Sequence, residues 1–231
     1  MTVPMSEEIT VHATTGTVEV KGADFDSLLR IGSTLVAYQW RDLEGSVAQY
    51  LIQRASAEPL LDVLAFRHSV ETWPTSGTSL SGHFSQVVSL LAPGRYRLAV
   101  SDAWQDVEYV ALDPTDCGER AFKHFYAGCG ALVATQSSTT IRASLVRDYV
   151  NQIEAGHRPL VITIAAFEGW SEFILDGHHK VLAYLQLRLP IPRLSIVRLG
   201  APVLRTEALS AVPLFHPLRC HLEENKDVPE S

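Results

Sequence analysis

The chain has 231 residues, 46% of them hydrophobic, and a formal charge of -7 at neutral pH. That is enough apolar material to bury a full core, so disorder is excluded as the default and either one large domain or two small ones fit the length. The acidic balance repels polyphosphate backbones and argues against non-specific nucleic-acid binding, while leaving room for a local basic pocket.

Three cysteines occur, Cys117, Cys129 and Cys220, with no C-x-x-C pair. Neither a disulfide scaffold nor a structural zinc site is signalled, and a reducing cytoplasm fits best. Residues 1 to 10 carry Glu7 and Glu8 and lack a basic start followed by an apolar run, so no secretory signal is expected. The longest apolar stretches, such as Leu160 to Phe167, fall far short of the ~20 residues that span a membrane.

From Thr17 to about Asp113 the texture predicts short strands and turns. The runs are Thr17 to Val20, Leu35 to Tyr38, Gln86 to Leu90, Tyr96 to Val100 and Val107 to Ala111, rich in β-branched and aromatic residues and separated by Gly, Pro, Asp or Ser. An all-β sandwich or barrel-like layer follows, with Ala92-Pro93-Gly94 as a hairpin turn. Trp40, Trp73, Trp104, His68 and His83 are expected in core, rim or solvated positions. A linker is expected over 114–125.

Beyond it the rhythm changes. Ala131 to Thr135 predicts a strand, and Leu145, Val146, Tyr149, Val150 and Ile153 recur at helical spacing before Gly156, which stands where a C′ glycine ends a helix. Leu160 to Ala166 predicts a strand, Glu168-Gly169 a turn and Phe173 to Leu175 a second strand. Val181, Leu182, Leu185 and Leu189 form another helical stripe closed by Pro190, and Leu194 to Leu199 a final strand. The order is β-α-β-β-α-β, which favours a mixed sheet with helices packed on it.

The candidate site lies at the strand-to-helix junction Asp176-Gly177-His178-His179-Lys180. With Asp176 as N-cap, the remaining free amides of the first turn would face outward as anion donors, and Gly177 would let a ligand approach the backbone. A helix N-terminus favours acids, yet this one presents two histidines and a lysine, so a bound phosphate is the simplest offsetting charge. Two alternatives stand beside it. Asp176 alone could neutralise a site whose histidines stay neutral, with Lys180 in water, or Asp176 could join a histidine around a metal, which no His-x-x-x-His spacing supports. Cys129, between Gly128 and Gly130, reads as a small buried residue or a reactive thiol.

These residues resemble the ParB/sulfiredoxin-like superfamily. The family pattern G-[EHC]-[HR]-[RK]-x-x-A occurs as Gly177-His178-His179-Lys180-Val181-Leu182-Ala183 after an apolar strand, and the upstream helix ending at Gly156 followed by Pro159 and a strand matches the family order. The resemblance covers about a third of the chain. It implies a ParB/sulfiredoxin-like mixed α/β domain over 126–205, which with the strand texture upstream makes an α+β protein: an N-terminal β-rich, sandwich- or barrel-like domain over 1–113, then this domain, then an extension over 206–231 whose polar end is expected to be flexible.

It also implies a nucleotide or other phosphate ligand, with ATP, ADP or CTP and magnesium as companions. Related members bind CTP as clamps, use ATP as sulfiredoxins, or phosphorylate an amino acid as free-serine kinases. His178 stands where sulfiredoxins place their nucleophilic cysteine, which excludes that chemistry. His179 and Lys180 keep positive charge where the family puts His or Arg followed by Arg. Gln136 stands where the kinase type places an acidic residue, so a base would have to come from Glu168, Glu172 or Asp176.

The expected site therefore comprises Asp176, His178 and Glu168 as catalytic groups, with Gly177, His178, His179, Lys180, Thr135 and Gln136 on the phosphate. The activity expected is a phosphotransferase or nucleotide hydrolase. The alternative is a non-catalytic module whose anion pocket is regulatory or vestigial and whose β-rich part contacts a protein partner.

Overall fold

The computed structural model describes residues 5–12, 16–22, 26–41, 48–54, 73–74, 77–101, 108–111, 120–126, 130–212, 214 and 216–224. Cys129, His68, Trp104 and the expected boundary loop at 113–118 lie outside them.

The strands are β1 (Met5–Val11), β2 (Val18–Gly22), β3 (Asp26–Ile31), β4 (Thr34–Arg41), β5 (Ala48–Arg54), β6 (Gly94–Ser101), β7 (Glu108–Val110), β8 (Arg120–Tyr126), β9 (Ala131–Ala134), β10 (Val161–Ala166), β11 (Ser171–Asp176) and β12 (Arg193–Leu199). The helices are α1 (Leu80–His83), α2 (Ser85–Val88), α3 (Ala143–Glu154), α4 (His178–Leu187), α5 (Arg205–Ala211) and α6 (Pro217–Glu224). The C-terminal order β9-α3-β10-β11-α4-β12 is the one the periodicity predicts. Gly156 sits just past α3 with φ +95, the left-handed conformation a C′ glycine supplies.

These strands form a seven-stranded sheet in the order β1-β6-β12-β10-β11-β9-β7 and a five-stranded sheet in the order β2-β3-β4-β5-β8. The first is mixed. β7, β9 and β11 run parallel, β10 and β12 are parallel to each other, and β10 is antiparallel to β11. The second is wholly antiparallel.

The protein is thus α+β, but the expected boundary does not divide the sheets. β1, β6 and β7 come from 1–113 and pair into the same sheet as β9 to β12, while β8 falls in the segment expected to be a linker. One apolar cluster explains why: Val18, Val20, Leu29 and Ile31 from the five-stranded sheet pack against Leu98, Ile162, Ile164 and Ile196 from the seven-stranded one. Burying both inner faces against each other stabilises each by roughly 25 cal/mol per Å² of apolar area removed from water.

Helices close the outer faces. Val161 and Ile174 point the other way from Ile162 and Phe173 and meet Ile153, Val181 and Tyr184 of α3 and α4. On the far side, Leu28 and Tyr38 meet Ala208, Ala211 and Leu218 of α5 and α6. The layers therefore run helices, sheet, sheet, helices. No described helix is long and apolar enough to cross a membrane.

One element differs in kind from expectation. Gln86 to Leu90 reads as a strand but holds α2, with Val87 buried beside Leu80 and Phe84 in the core shared by the two sheets. Its β-branched pair is overruled by that packing. Pro93-Gly94 accordingly leads out of a helical turn into β6 and is not a hairpin.

Candidate functional site

The carboxyl ends of the parallel strands β9 and β11 lie side by side, Ile174 paired with Ala134. This brings Thr135 and Gln136, which follow β9, beside the junction between β11 and α4. Gly177 precedes α4 with φ +103, and a Cβ there would stand 3.2 Å from Val161 Cγ2 and from Lys180 Cδ. Glycine is favoured by the dihedral, and a side chain there would also press on close neighbours.

Helix α4 begins its ladder with the Val181 amide donating to Gly177 O at 2.9 Å. The amides of His178, His179 and Lys180 precede that bond, and the first turn holds no acidic residue and no side-chain cap. Asp176 is therefore not the N-cap that the sequence suggests. Its carboxylate turns away from the amides and accepts from Lys180 Nζ at 2.7 Å, one helical turn on. Lys180 Nζ donates as well to Leu160 O at 2.9 Å, and the pair is largely buried, with side-chain exposures of 8% and 16%.

The histidines are acceptors. His178 is buried, and its Nε2 receives the Thr135 amide at 3.0 Å, which places its proton on Nδ1. Burial, reinforced by the neighbouring His179, pushes its pKa down to about 3, so it is neutral. His179 is half-buried, and its Nε2 receives the Arg142 amide at 3.0 Å. Burial and the Arg142 charge hold it below the ordinary histidine range against the opposing pull of Asp176. Thr135 Oγ1 donates to Ile174 O at 2.6 Å, tying the end of β9 to β11.

The two histidines and the lysine therefore leave no uncompensated positive charge at the helix start, contrary to the expectation from sequence: the imidazoles are neutral and the ammonium is matched by Asp176. What remains for an anion is the set of first-turn amides and the positive end of a ten-residue helix. Of the nine positions that sequence reasoning nominated or weighed, Thr135, Gln136, Asp176, Gly177, His178, His179 and Lys180 converge here.

Glu168 does not. It occupies the turn between β10 and β11 with φ +59, at the opposite end of β11 from Asp176 and separated from it by roughly 20 Å of strand. Glu172 is also apart from the junction, in a polar cluster on the helix-bearing face of the sheet. Its Oε2 accepts from Thr163 Oγ1 and from Ser195 Oγ at 2.9 Å and forms an ion pair with Arg193 Nε at 3.5 Å, while that Nε donates to Ser195 Oγ at 3.3 Å. Sequence reading passed over Arg193, Thr163 and Ser195. The available signal was polar residues at like-facing positions of otherwise apolar strands.

No family model, curated protein or solved structure matches the chain.

Proposed function

We propose that this chain is a binding module for a phosphate-bearing ligand, of the ParB/sulfiredoxin-like type, in which a nucleotide such as ATP, ADP or CTP regulates an interaction made elsewhere on the molecule. The observation that carries the reading is the start of α4. Left-handed Gly177 opens a helix whose first-turn amides stand at the carboxyl ends of two parallel strands, with no acid among them. In α/β sheets, ligands bind beyond the carboxyl ends of parallel strands, against the N-termini of the helices that follow them.

The disposition of the acids supports binding over turnover. A phosphotransferase or hydrolase needs a base within reach of the attacking group. Asp176 is held by Lys180, and Glu168 lies across the sheet. Magnesium would arrive with the triphosphate as part of the ligand.

The test is a thermal-shift titration with ATP, ADP, CTP, GTP and inorganic phosphate, each with and without magnesium. A ligand at a hundred times its Kd stabilises the folded state by about 2.7 kcal/mol, a shift of several degrees. His179→Gln keeps an acceptor for the Arg142 amide and should retain the shift, whereas His179→Glu keeps the acceptor but adds a negative charge to the first turn and should abolish it. Absence of a shift with every ligand, or an equal shift in both variants, contradicts the reading.

A further inference from the structure

Adjacent residues of α4 hold the two ends of one short segment. Thr135 is bonded through its amide to His178 Nε2 and Arg142 through its amide to His179 Nε2, each at 3.0 Å. Residues 136–141 run between these attachments. The segment keeps its own shape: the Thr140 amide and hydroxyl both donate to Ser137 O, at 3.0 and 2.7 Å, the Ile141 amide donates to Ser138 O at 3.1 Å, and the Ser137 and Thr139 hydroxyls meet at 2.9 Å.

The ends are unequal. His178 is 2% exposed, and its partner Thr135 is additionally anchored to Ile174 O. His179 is half-buried, and the Arg142 amide it receives belongs to the N-cap of α3, which makes no side-chain cap of its own. His179 thus does for α3, from another helix, what the reciprocal glutamate of a capping box does from within.

We propose that residues 136–141 form a latch on the first turn of α4, hinged at His178 and released at His179 when that imidazole takes a proton. A protonated ring has no acceptor to offer, so the Arg142 amide must let go. The charged groups that bear on the release are Arg142 at the start of α3, which opposes the proton, and Asp176 at the end of β11, which favours it, while His178 beside it on α4 is neutral. Lys180, the next residue, is matched by Asp176. Because burial and Arg142 prevail at His179, release begins below the ordinary histidine range, while the hinge at His178 persists to far lower pH. The latch does not depend on any ligand.

Amide hydrogen exchange read residue by residue between pH 7.5 and 5, corrected for intrinsic rates, tests it on the intact protein. Arg142 and residues 137–141 should lose protection by about tenfold as pH falls, while β10 and β12 stay protected. His179→Gln, which accepts but does not titrate in this range, should stay latched throughout, and His179→Ala should be unlatched already at pH 7.5. Protection in the segment that does not change with pH, that persists in its pH dependence in His179→Gln, or that is lost together with β10 overturns the proposal. A His179→Ala chain that fails to fold leaves the wild type and His179→Gln to decide it.

Discussion

Two buried ion pairs sit on the helix-bearing side of the seven-stranded sheet, and they are built on opposite plans. In the Glu172 cluster, one carboxylate oxygen gathers side-chain donors from the neighbouring strands β10 and β12. Around Asp176 and Lys180, the side chains of a single helical turn instead reach for backbone groups far off in sequence. Lys180 holds Leu160 ahead of β10, His178 holds Thr135 behind β9, and His179 holds Arg142 ahead of α3. The first plan reinforces strands already paired. The second assembles three element ends on one turn, so the side chains of His178, His179 and Lys180 are committed to the fold, which leaves that turn its backbone amides to offer a ligand.

The sharpest way to break this comparison is Lys180→Met, which strands the Asp176 carboxylate in a site only 16% exposed. A loss of about 3 to 5 kcal/mol in urea unfolding is expected, with most of it recovered when Asp176→Asn is added. Glu172→Gln should cost less, about 2 kcal/mol, because the two hydroxyls retain an acceptor although Arg193, with 5% side-chain exposure, loses its counter-charge. Equal costs in the two variants would erase the distinction.

A pH series sharpens it further. For His178 the native pKa of about 3 lies below the unfolded value near 6.5, so the unfolded state takes up the proton first and stability falls as pH drops below about 6.5. By pH 5 this amounts to about 2 kcal/mol, measurable by denaturation at each pH, and His178→Gln should flatten the slope. The smallest effect concerns the turn itself. Gly177→Ala should cost about 1 to 2 kcal/mol, from a φ of +103 that alanine resists and from the contacts at 3.2 Å, read as a lowered unfolding midpoint.

Much of the C-terminal architecture is legible in the sequence because its signals are local. The 3.6-residue stripe from Leu145 to Ile153, the glycine at 156 and the apolar run from Val161 to Ala166 each declare one element. The sheet order is not local. Nothing in Met5–Val11 announces that it will pair with β6, nor in Arg120–Tyr126 that it will pair with β5, and these partners lie far apart in the chain, from 66 positions for Arg54 with Arg120 to 95 for Met5 with Val100. The candidate junction is legible because Gly177 and the polar residues after it end an apolar strand. Its electrostatics are not legible in the sequence because side-chain direction is a tertiary fact. Asp176 can cap a helix or grip a lysine one turn on, and only the position of Leu160 O, which fixes Lys180 from the other side, decides between them.

The central claim, that an anion meets backbone amides while neutral histidines brace the turn, is tested most directly by an ATP titration followed by nitrogen NMR at pH 7. The amide resonances of His178, His179 and Lys180 should move and saturate, while both imidazoles keep the spectrum of the neutral Nδ1–H form. Imidazoles that become protonated as ATP binds, or amides that never move, would contradict it.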